Sequence, residues 1–161
     1  SQVHKAAIKL IKSRTLEQLL ETITVDLVSL FDVDVVRLAV ESERANEFES
    51  AYGEQNYSGI VFIEPGIVDY ALGAKKNVLL VADIAKRAPI GFDQIFVDCS
   101  GLIQSCALLR LELELVNKHV ILAFGVRYPD RFHPGQGIEL LHFLAQIVGH
   151  QLDQYLHQLD M

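Results

Sequence analysis

Apolar and polar residues alternate along two stretches in the second half of the chain, residues 104–114 and 119–127. Alternation predicts β-strands, because successive side chains of a strand point to opposite faces of a sheet. The pair Asn117-Lys118 lies between the stretches and predicts a two-residue hairpin turn. The two stretches are therefore expected to be adjacent antiparallel strands.

Pairing across that turn gives the hairpin one aliphatic face and one mixed face. The aliphatic face carries Leu109, Leu111, Leu113, Leu122, Phe124 and Val126. The mixed face carries Cys106, Leu108, Arg110, Glu112, Ala123, Gly125 and Arg127. Gly125 stands opposite Arg110 in this register, which leaves space beside a guanidinium, as a small-ligand pocket requires. The alternative is a plain solvated face with an Arg110–Glu112 pair.

A further strand is predicted over residues 33–41, and it repeats this division. Val36, Leu38 and Val40 share one face, and Arg37 shares the other with small residues. If the strands are neighbours, Arg37 and Arg110 converge, and an anionic or carbonyl-bearing small molecule is the natural ligand. The candidate ligand-binding residues are Arg37, Cys106, Arg110, Gly125 and Arg127.

Helical periodicity marks both ends of the chain. A short amphipathic helix is predicted over Gln2–Lys12, and Thr15 with Gln18 forms a capping box for a second helix that runs to about Phe31. The last helix has an unbroken apolar seam, made of Ile138, Leu141, Ala145, Val148, Leu152, Tyr155 and Leu159. Its second half narrows to that seam and suits one partner helix. The partner is the N-terminal helix, the same helix of a second copy, or both, so a homodimer through the terminal helices is expected.

Weaker elements fill the middle of the chain. They are candidate strands at residues 48–53 and 58–63, a short helix opened by Pro65 and closed by Gly73, a strand at 77–83, and an irregular stretch at 85–101 with a helical turn around 93–97. This order predicts one α+β domain over residues 1–161. We expect a central antiparallel sheet of about five or six strands. The terminal helices would cover one face, and the short helix and loops the other. Residues 1–13 are expected to be the end of a longer helical segment.

Composition narrows the classes of partner. The chain has 161 residues, half of them hydrophobic, and a net charge of −7. Nucleic acid and anionic membrane surfaces need clustered basic residues, so neither is an expected partner. No apolar run reaches the length of a membrane span. Two cysteines without a disulfide framework suit a reducing cytoplasm.

The chain carries no recognisable catalytic motif, and we predict no catalytic residue, cofactor or metal ligand. The histidines His142, His150 and His157 are too far apart along one helix to share a metal ion. Cys99 and Cys106 admit a redox role only if both thiols are reactive. Arg131 is expected to anchor the loop before the last helix through Asp130 or a backbone carbonyl, with Phe132 buried beneath it.

Two long stretches carry a family resemblance. TLEQLLETITVDLVSLFDVDVVRLAV resembles the opening of a GAF domain, and ILAFGVRYPDRFHPGQGIELLHFLAQIVGHQL resembles its ending. The pieces SCALLRL, FGVRYPDRF, HPGQG and GIELLHFL are similar to the motifs of the bacterial GAF-like family DUF484. Val126 and Ile138 stand where that family has serine and threonine. The resemblance implies a GAF-like fold and does not imply a reaction.

These observations predict a GAF-like sensory or regulatory module that binds a small molecule without catalysis. One alternative is a purely structural dimerisation domain, whose pocket is filled by its own side chains, such as Phe62, Tyr70, Phe92 or Phe96. A second alternative is a thiol redox enzyme of the type that reduces free methionine sulfoxide, which GAF-type proteins include.

Overall fold

The computed structural model describes residues 2–43, 59–133 and 138–159. The helices there are α1 (Gln2–Lys12), α2 (Leu16–Glu21), α3 (Leu27–Phe31), α4 (Ile67–Leu72), α5 (Phe92–Ile95) and α6 (Glu139–Gln158), and a π-helical segment (Thr22–Asp26) joins α2 to α3. The strands are β1 (Val35–Glu41), β2 (Ile60–Ile63), β3 (Val78–Val81), β4 (Ser105–Leu111) and β5 (Val120–Val126). The candidate strand at 48–53 lies outside the described residues.

Local sequence signals account for the helix ends. The Thr15 hydroxyl accepts a hydrogen bond from the Gln18 amide at 3.1 Å, and the Gln18 side chain accepts one from the Arg14 amide at 2.8 Å. The predicted cap is therefore present. Asp32 ends α3 in the left-handed conformation, with φ 52°. The predicted start of the short helix at Pro65 was wrong, because Gly66 is the N-cap of α4, with φ 95°.

The five strands form one mixed sheet in the order β2-β1-β5-β4-β3. The strand pairs β1–β5, β5–β4 and β4–β3 are antiparallel, as expected, but β2 runs parallel to β1. Side-chain alternation does not specify strand direction, so the sequence pattern could not distinguish the two arrangements. The α+β prediction is confirmed, with one parallel edge strand.

Each face of the sheet has its own hydrophobic core. The predicted aliphatic face, with Leu109, Leu122 and Phe124 at its centre, packs beneath the terminal helices. The opposite face packs beneath α4 and α5. The predicted division of the sheet into two faces is therefore confirmed.

Helix α1 lies against the second half of α6 and covers its apolar seam. The Gln151 amide donates to the carbonyls of Leu10 and Ile11 at 2.9 and 3.0 Å, and the Tyr155 hydroxyl donates to the Ser13 carbonyl at 2.5 Å. Of the partner helices that the seam allowed, the structure shows the N-terminal helix of the same chain.

A buried carboxylate joins α6 to the β4–β5 connection. Asp153 accepts hydrogen bonds from the amides of Glu114 at 2.7 Å, Leu115 at 3.0 Å and Val116 at 3.3 Å. Three converging N–H groups provide hydrogen bonds to a carboxylate that is removed from water. The long helix and this connection are therefore held together as one unit.

Candidate functional site

The second sheet face, which is the one beneath α4 and α5, is lined by small and apolar side chains. They are Ala39, Cys106, Leu108, Ile121 and Ala123, and they pack against Ile67, Val68, Leu72, Phe92, Ile95, Phe96 and Ile103. Small residues on the strands let the covering elements approach closely. Residues 92–103, which include α5, are called the covering segment below.

Gly125 belongs to this face, but the space above it is filled. A Cβ atom at Gly125 would lie 2.8 Å from a ring carbon of Phe96, 2.8 Å from Val35 and 2.9 Å from Ile103. The sheet backbone and the covering segment therefore approach each other closely at Gly125. The predicted open space is occupied by Phe96.

The predicted pairing of Gly125 with Arg110 was wrong. Gly125 pairs with Cys106 on β4 and with Val35 on β1, and Arg110 pairs with Ile121. The connection between β4 and β5 spans residues 112–119, not the two-residue turn at Asn117-Lys118. The observed register of β4 and β5 differs from the predicted one by an even number of residues. Every side chain therefore stays on its predicted face.

Arg37 and Arg110 do not converge. Strand β5 lies between their strands, and each guanidinium holds a different covering element. Arg37 pairs with Asp98 in the covering segment, with Nη1–Oδ1 and Nη2–Oδ2 distances of 2.5 and 3.3 Å. The Arg37 side chain is 10% exposed and that of Asp98 is 67% exposed. The guanidinium beside Asp98 lowers the pKa of that carboxyl below its usual value.

Arg110 holds the C-terminal end of α4. Its Nη1 lies 2.7 Å from the Asp69 carboxylate, and its Nη2 donates to the carbonyls of Gly73 at 2.7 Å and Lys76 at 3.2 Å. A cation that donates to the carbonyls at and beyond a helix end stabilises that end. Arg110 therefore positions α4, and these contacts engage its donors.

Glu41 holds the other end of α4 and was missed by the sequence argument. Its buried carboxylate accepts hydrogen bonds from the Gly66 amide at 2.9 Å and the Val68 amide at 2.8 Å. An anion at the first turn of a helix pairs with unsatisfied N–H groups. Glu41 lies on the same predicted face as Arg37, but no sequence pattern indicates which helix it contacts.

Arg127 lies just past the end of β5, and its side chain is exposed. Its backbone amide donates to the Asp34 carboxylate at 2.8 Å. The structure therefore brings Cys106 and Gly125 together beneath the covering segment, with Arg37 on the same face. Arg110 lies at the opposite end of that face, and Arg127 lies outside it.

The loop arginine behaves as predicted. Arg131 Nη2 donates to the Phe31 carbonyl at 2.6 Å, and its guanidinium lies 5.1 Å from the ring centre of the buried Phe132. This contact fixes the loop after β5 to the end of α3.

Neither cysteine has the environment of a reactive thiol. Cys106 is fully buried, and that burial raises its pKa to about 12. Burial also raises the pKa of the half-buried Cys99, although the neighbouring Arg37 guanidinium opposes the shift. Thiol catalysis needs the thiolate form, so the geometry offers no support for a redox reaction.

The described residues contain neither a candidate metal-ion site nor a helix that could span a membrane. No group of three or more His, Cys, Asp or Glu side chains within residues 2–43, 59–133 and 138–159 is arranged to hold a metal ion. Over the same residues, no helix combines the length and apolar character needed to cross a membrane.

Comparison with known proteins agrees with this architecture. The family model described as "Protein of unknown function, DUF484" matches residues 1–157. The chain belongs to the DUF484 family. No curated protein matches it.

Solved structures similar to this DUF484 domain show the GAF fold. The GAF domain from an Acinetobacter phosphoenolpyruvate-protein phosphotransferase superposes with a TM-score of 0.64 at 11% identity, covering 99% of this chain and 94% of that one. The far-red absorbing dark state of JSC1_58120g3 with bound biliverdin IXa superposes with a TM-score of 0.65 at 14% identity, covering 96% and 99%. At these identities the likeness concerns the fold alone.

Proposed function

We propose that this DUF484 domain is a GAF-like regulatory module that binds a small molecule between the second sheet face and the covering segment. The observation that carries the proposal is the buried guanidinium of Arg37, whose partner Asp98 is largely exposed. An apolar side chain at such a position often gives equal or greater stability than a buried ion pair. We take this buried cation as the group that would recognise a ligand.

The fold comparison supports the same use of the domain. The structure of JSC1_58120g3 contains bound biliverdin IXa, and this DUF484 domain shares its fold at a TM-score of 0.65. We expect a different and smaller ligand here, because the Phe96 side chain fills the space above Gly125.

The protein's charge and thiols bear on its compartment and partners. Cys99 and Cys106 are free thiols, as is usual in a reducing compartment, and the net charge of −7 disfavours nucleic acid. We therefore propose a cytoplasmic location and a small-molecule ligand with no resident cofactor.

Ligand binding would be transmitted through the C-terminal helix. Strands β4 and β5 carry Cys106 and Gly125 beneath the covering segment, and their connection is bound to α6 by Asp153. A ligand that shifts these strands therefore acts on α6, provided that it binds the two arrangements of the domain with different affinity.

We also propose that the domain is a homodimer through its terminal helices. The predicted seam of α6 is covered by α1, but large apolar side chains remain exposed on both helices. They are Ile8 and Ile11 on α1 and Leu140 and Phe143 on α6. Association of these surfaces would remove them from water.

Sedimentation velocity tests the dimer. We expect the protein to sediment at twice the mass of its 18.0 kDa chain. The double variant Ile8→Glu, Ile11→Glu is expected to shift the population towards monomer, because charges at an apolar contact must be desolvated. Lys12→Glu, on the same helix, is the control for added negative charge. A wild-type protein that stays monomeric at high micromolar concentration would exclude this dimer.

A structural module without a ligand is the second candidate function. The observation that favours it is that Phe96 and Ile103 fill the space above Gly125. A ligand must displace the Phe96 side chain to enter, whereas a scaffold would keep it in place.

A thermal-shift screen of a metabolite library separates the two functions. The ligand-binding proposal predicts at least one compound that raises the melting temperature as its concentration rises. Methyl NMR signals of Ala39, Ile121 and Ala123, which line the second sheet face, should shift most on its addition. A library without any stabilising compound, or one whose hits perturb only other surfaces, supports the scaffold.

A further inference from the structure

Arg37 has more hydrogen-bond donors than the described residues satisfy. Its Nη1 also donates to the Ile95 carbonyl at 3.4 Å, and its Nη2 lies 3.9 Å from the Cys99 sulfur, a weak acceptor. The Nε atom is buried and has no acceptor within the part of the chain that the structure describes. A buried donor without an acceptor destabilises the fold, so the described residues leave the hydrogen-bonding capacity of Arg37 incompletely satisfied.

The partner of Arg37 is easily displaced. The Asp98 side chain is 67% exposed, so its carboxylate regains water when it leaves the guanidinium. Arg37, at 10% exposed, cannot regain water in the same way. Arg37 therefore requires a replacement anion, whereas Asp98 does not require a replacement cation.

Asp98 lies between turns that are held by local hydrogen bonds. The Cys99 amide donates to the Phe96 carbonyl and the Leu102 amide donates to the Cys99 carbonyl, both at 2.9 Å. Phe96 precedes Asp98 by two residues and fills the space above Gly125. Release of Asp98 and withdrawal of Phe96 would therefore be a single movement of one short stretch.

We propose that Asp98 occupies the position of a ligand carboxylate and that the ligand is a small monocarboxylate with an apolar body. The ligand carboxylate would replace Asp98 on Arg37, and its apolar body would replace Phe96 above Gly125. This inference rests on the proposed function, because it concerns the same site and names the ligand class.

Charge and shape favour one carboxylate over other anions. Arg37 is the cation available at this position, because Arg110 is engaged at the end of α4. A dianion such as a phosphate monoester would place two negative charges against the Arg37 guanidinium in a domain of net charge −7. The side chains around Gly125 and Cys106 are apolar and suit an aliphatic or aromatic body.

Asp98 would thereby set the affinity of the site. The closed arrangement competes with the ligand, so the apparent dissociation constant rises with the closed population. Asp98→Asn removes the competing charge and leaves the guanidinium in place. We expect this variant to bind the carboxylate about two- to fivefold more tightly than the wild type, which is the gain from removing an ion pair with an exposed partner.

Calorimetric titration with matched pairs tests the proposal. The probes are 3-methylbutanoate, benzoate and phenylacetate, each beside its neutral amide of the same shape. At least one carboxylate is expected to bind the wild type and to bind Asp98→Asn more tightly, while its amide does not bind. Asp93→Asn, an exposed residue of the same segment, should leave the affinity unchanged. Arg37→Gln should abolish binding.

The outcomes separate this inference from the function on which it rests. Binding of a neutral or phosphorylated compound at this face, with none by carboxylates, would overturn the monocarboxylate and leave the regulatory module standing. Equal affinity of wild type and Asp98→Asn for a carboxylate would overturn the role of Asp98. If no compound of any class binds, both the inference and the ligand-binding function fail. Asp98 is exposed, so these readings do not depend on whether Arg37→Gln folds.

Discussion

Phe96→Ala is expected to lower the free energy of unfolding by about 3–5 kcal/mol, the usual loss when a buried phenylalanine is truncated. Phe96 is fully buried, and its ring fills the space above Gly125 while contacting Phe92 at 5.2 Å between ring centres. Removing the ring leaves a cavity that the sheet face cannot close, since strands β1, β5 and β4 are fixed by their mutual hydrogen bonds. Urea denaturation monitored by circular dichroism gives the value.

Val97→Ala is the matched control for this prediction. Val97 follows Phe96 in the same segment, but its side chain is about half exposed, and its truncation should change stability by less than ~0.5 kcal/mol. A loss below about 1 kcal/mol for Phe96→Ala would mean that Phe96 does not fill a core position. In that case Phe96 would not close the proposed site above Gly125.

Asp153→Ala is expected to cost about 2–3 kcal/mol of stability. The variant leaves three amides of the β4–β5 connection, those of Glu114, Leu115 and Val116, without their acceptor. Asp153→Asn should cost less, because its amide oxygen still accepts a hydrogen bond but lacks the charge that strengthens it. Chemical denaturation of both variants shows which of them loses more free energy of unfolding.

The control is Gln146→Ala, an exposed position on the same helix, where the expected change is within ~0.5 kcal/mol. Amide exchange adds a second readout. Asp153→Ala should accelerate exchange at residues 114–116 more than in β4 and β5. Equal stability of Asp153→Ala and wild type would show that α6 and the connection are not held together by this carboxylate.

The sequence predicted the layers of the fold because they follow from periodicity. Alternation places Leu109 and Phe124 on one sheet face and Arg37 on the other. A register error of an even number of residues leaves each side chain on its face, so the wrongly predicted turn did not change the two faces. The register itself depends on the connection between the strands. No local signal showed that residues 112–119 would form a longer connection anchored by α6.

The partners of the charged residues could not be predicted, because they depend on tertiary contacts. The pattern placed Arg37 and Arg110 on the correct face, but their acceptors come from residues about sixty and forty positions away in the chain. One signal for Asp153 was present in the sequence. Gly149, Asp153 and Leu156 form a stripe at helical spacing, and all three are buried. A carboxylate within an apolar stripe predicts buried donors nearby.

The proposed site depends on how the covering segment is attached to the sheet. Its attachment to the sheet combines an apolar contact, through Phe96, with an ionic one, through Arg37 and Asp98. The Asp98 carboxylate is exposed and regains water when the ionic contact is broken, whereas an apolar contact alone provides no recognition of charge. This combination is the basis on which we propose a ligand site here.

Hydrogen exchange on Asp98→Asn tests this claim most directly. The amides of Phe96, Cys99 and Leu102, which are hydrogen-bonded within the covering segment, should exchange at least several-fold faster than in the wild type. The amides of β4 and β5 should keep their protection, because the sheet stays folded when the segment opens. Unchanged exchange in the segment, or an equal acceleration throughout the sheet, would contradict a covering segment that Arg37 and Asp98 hold closed.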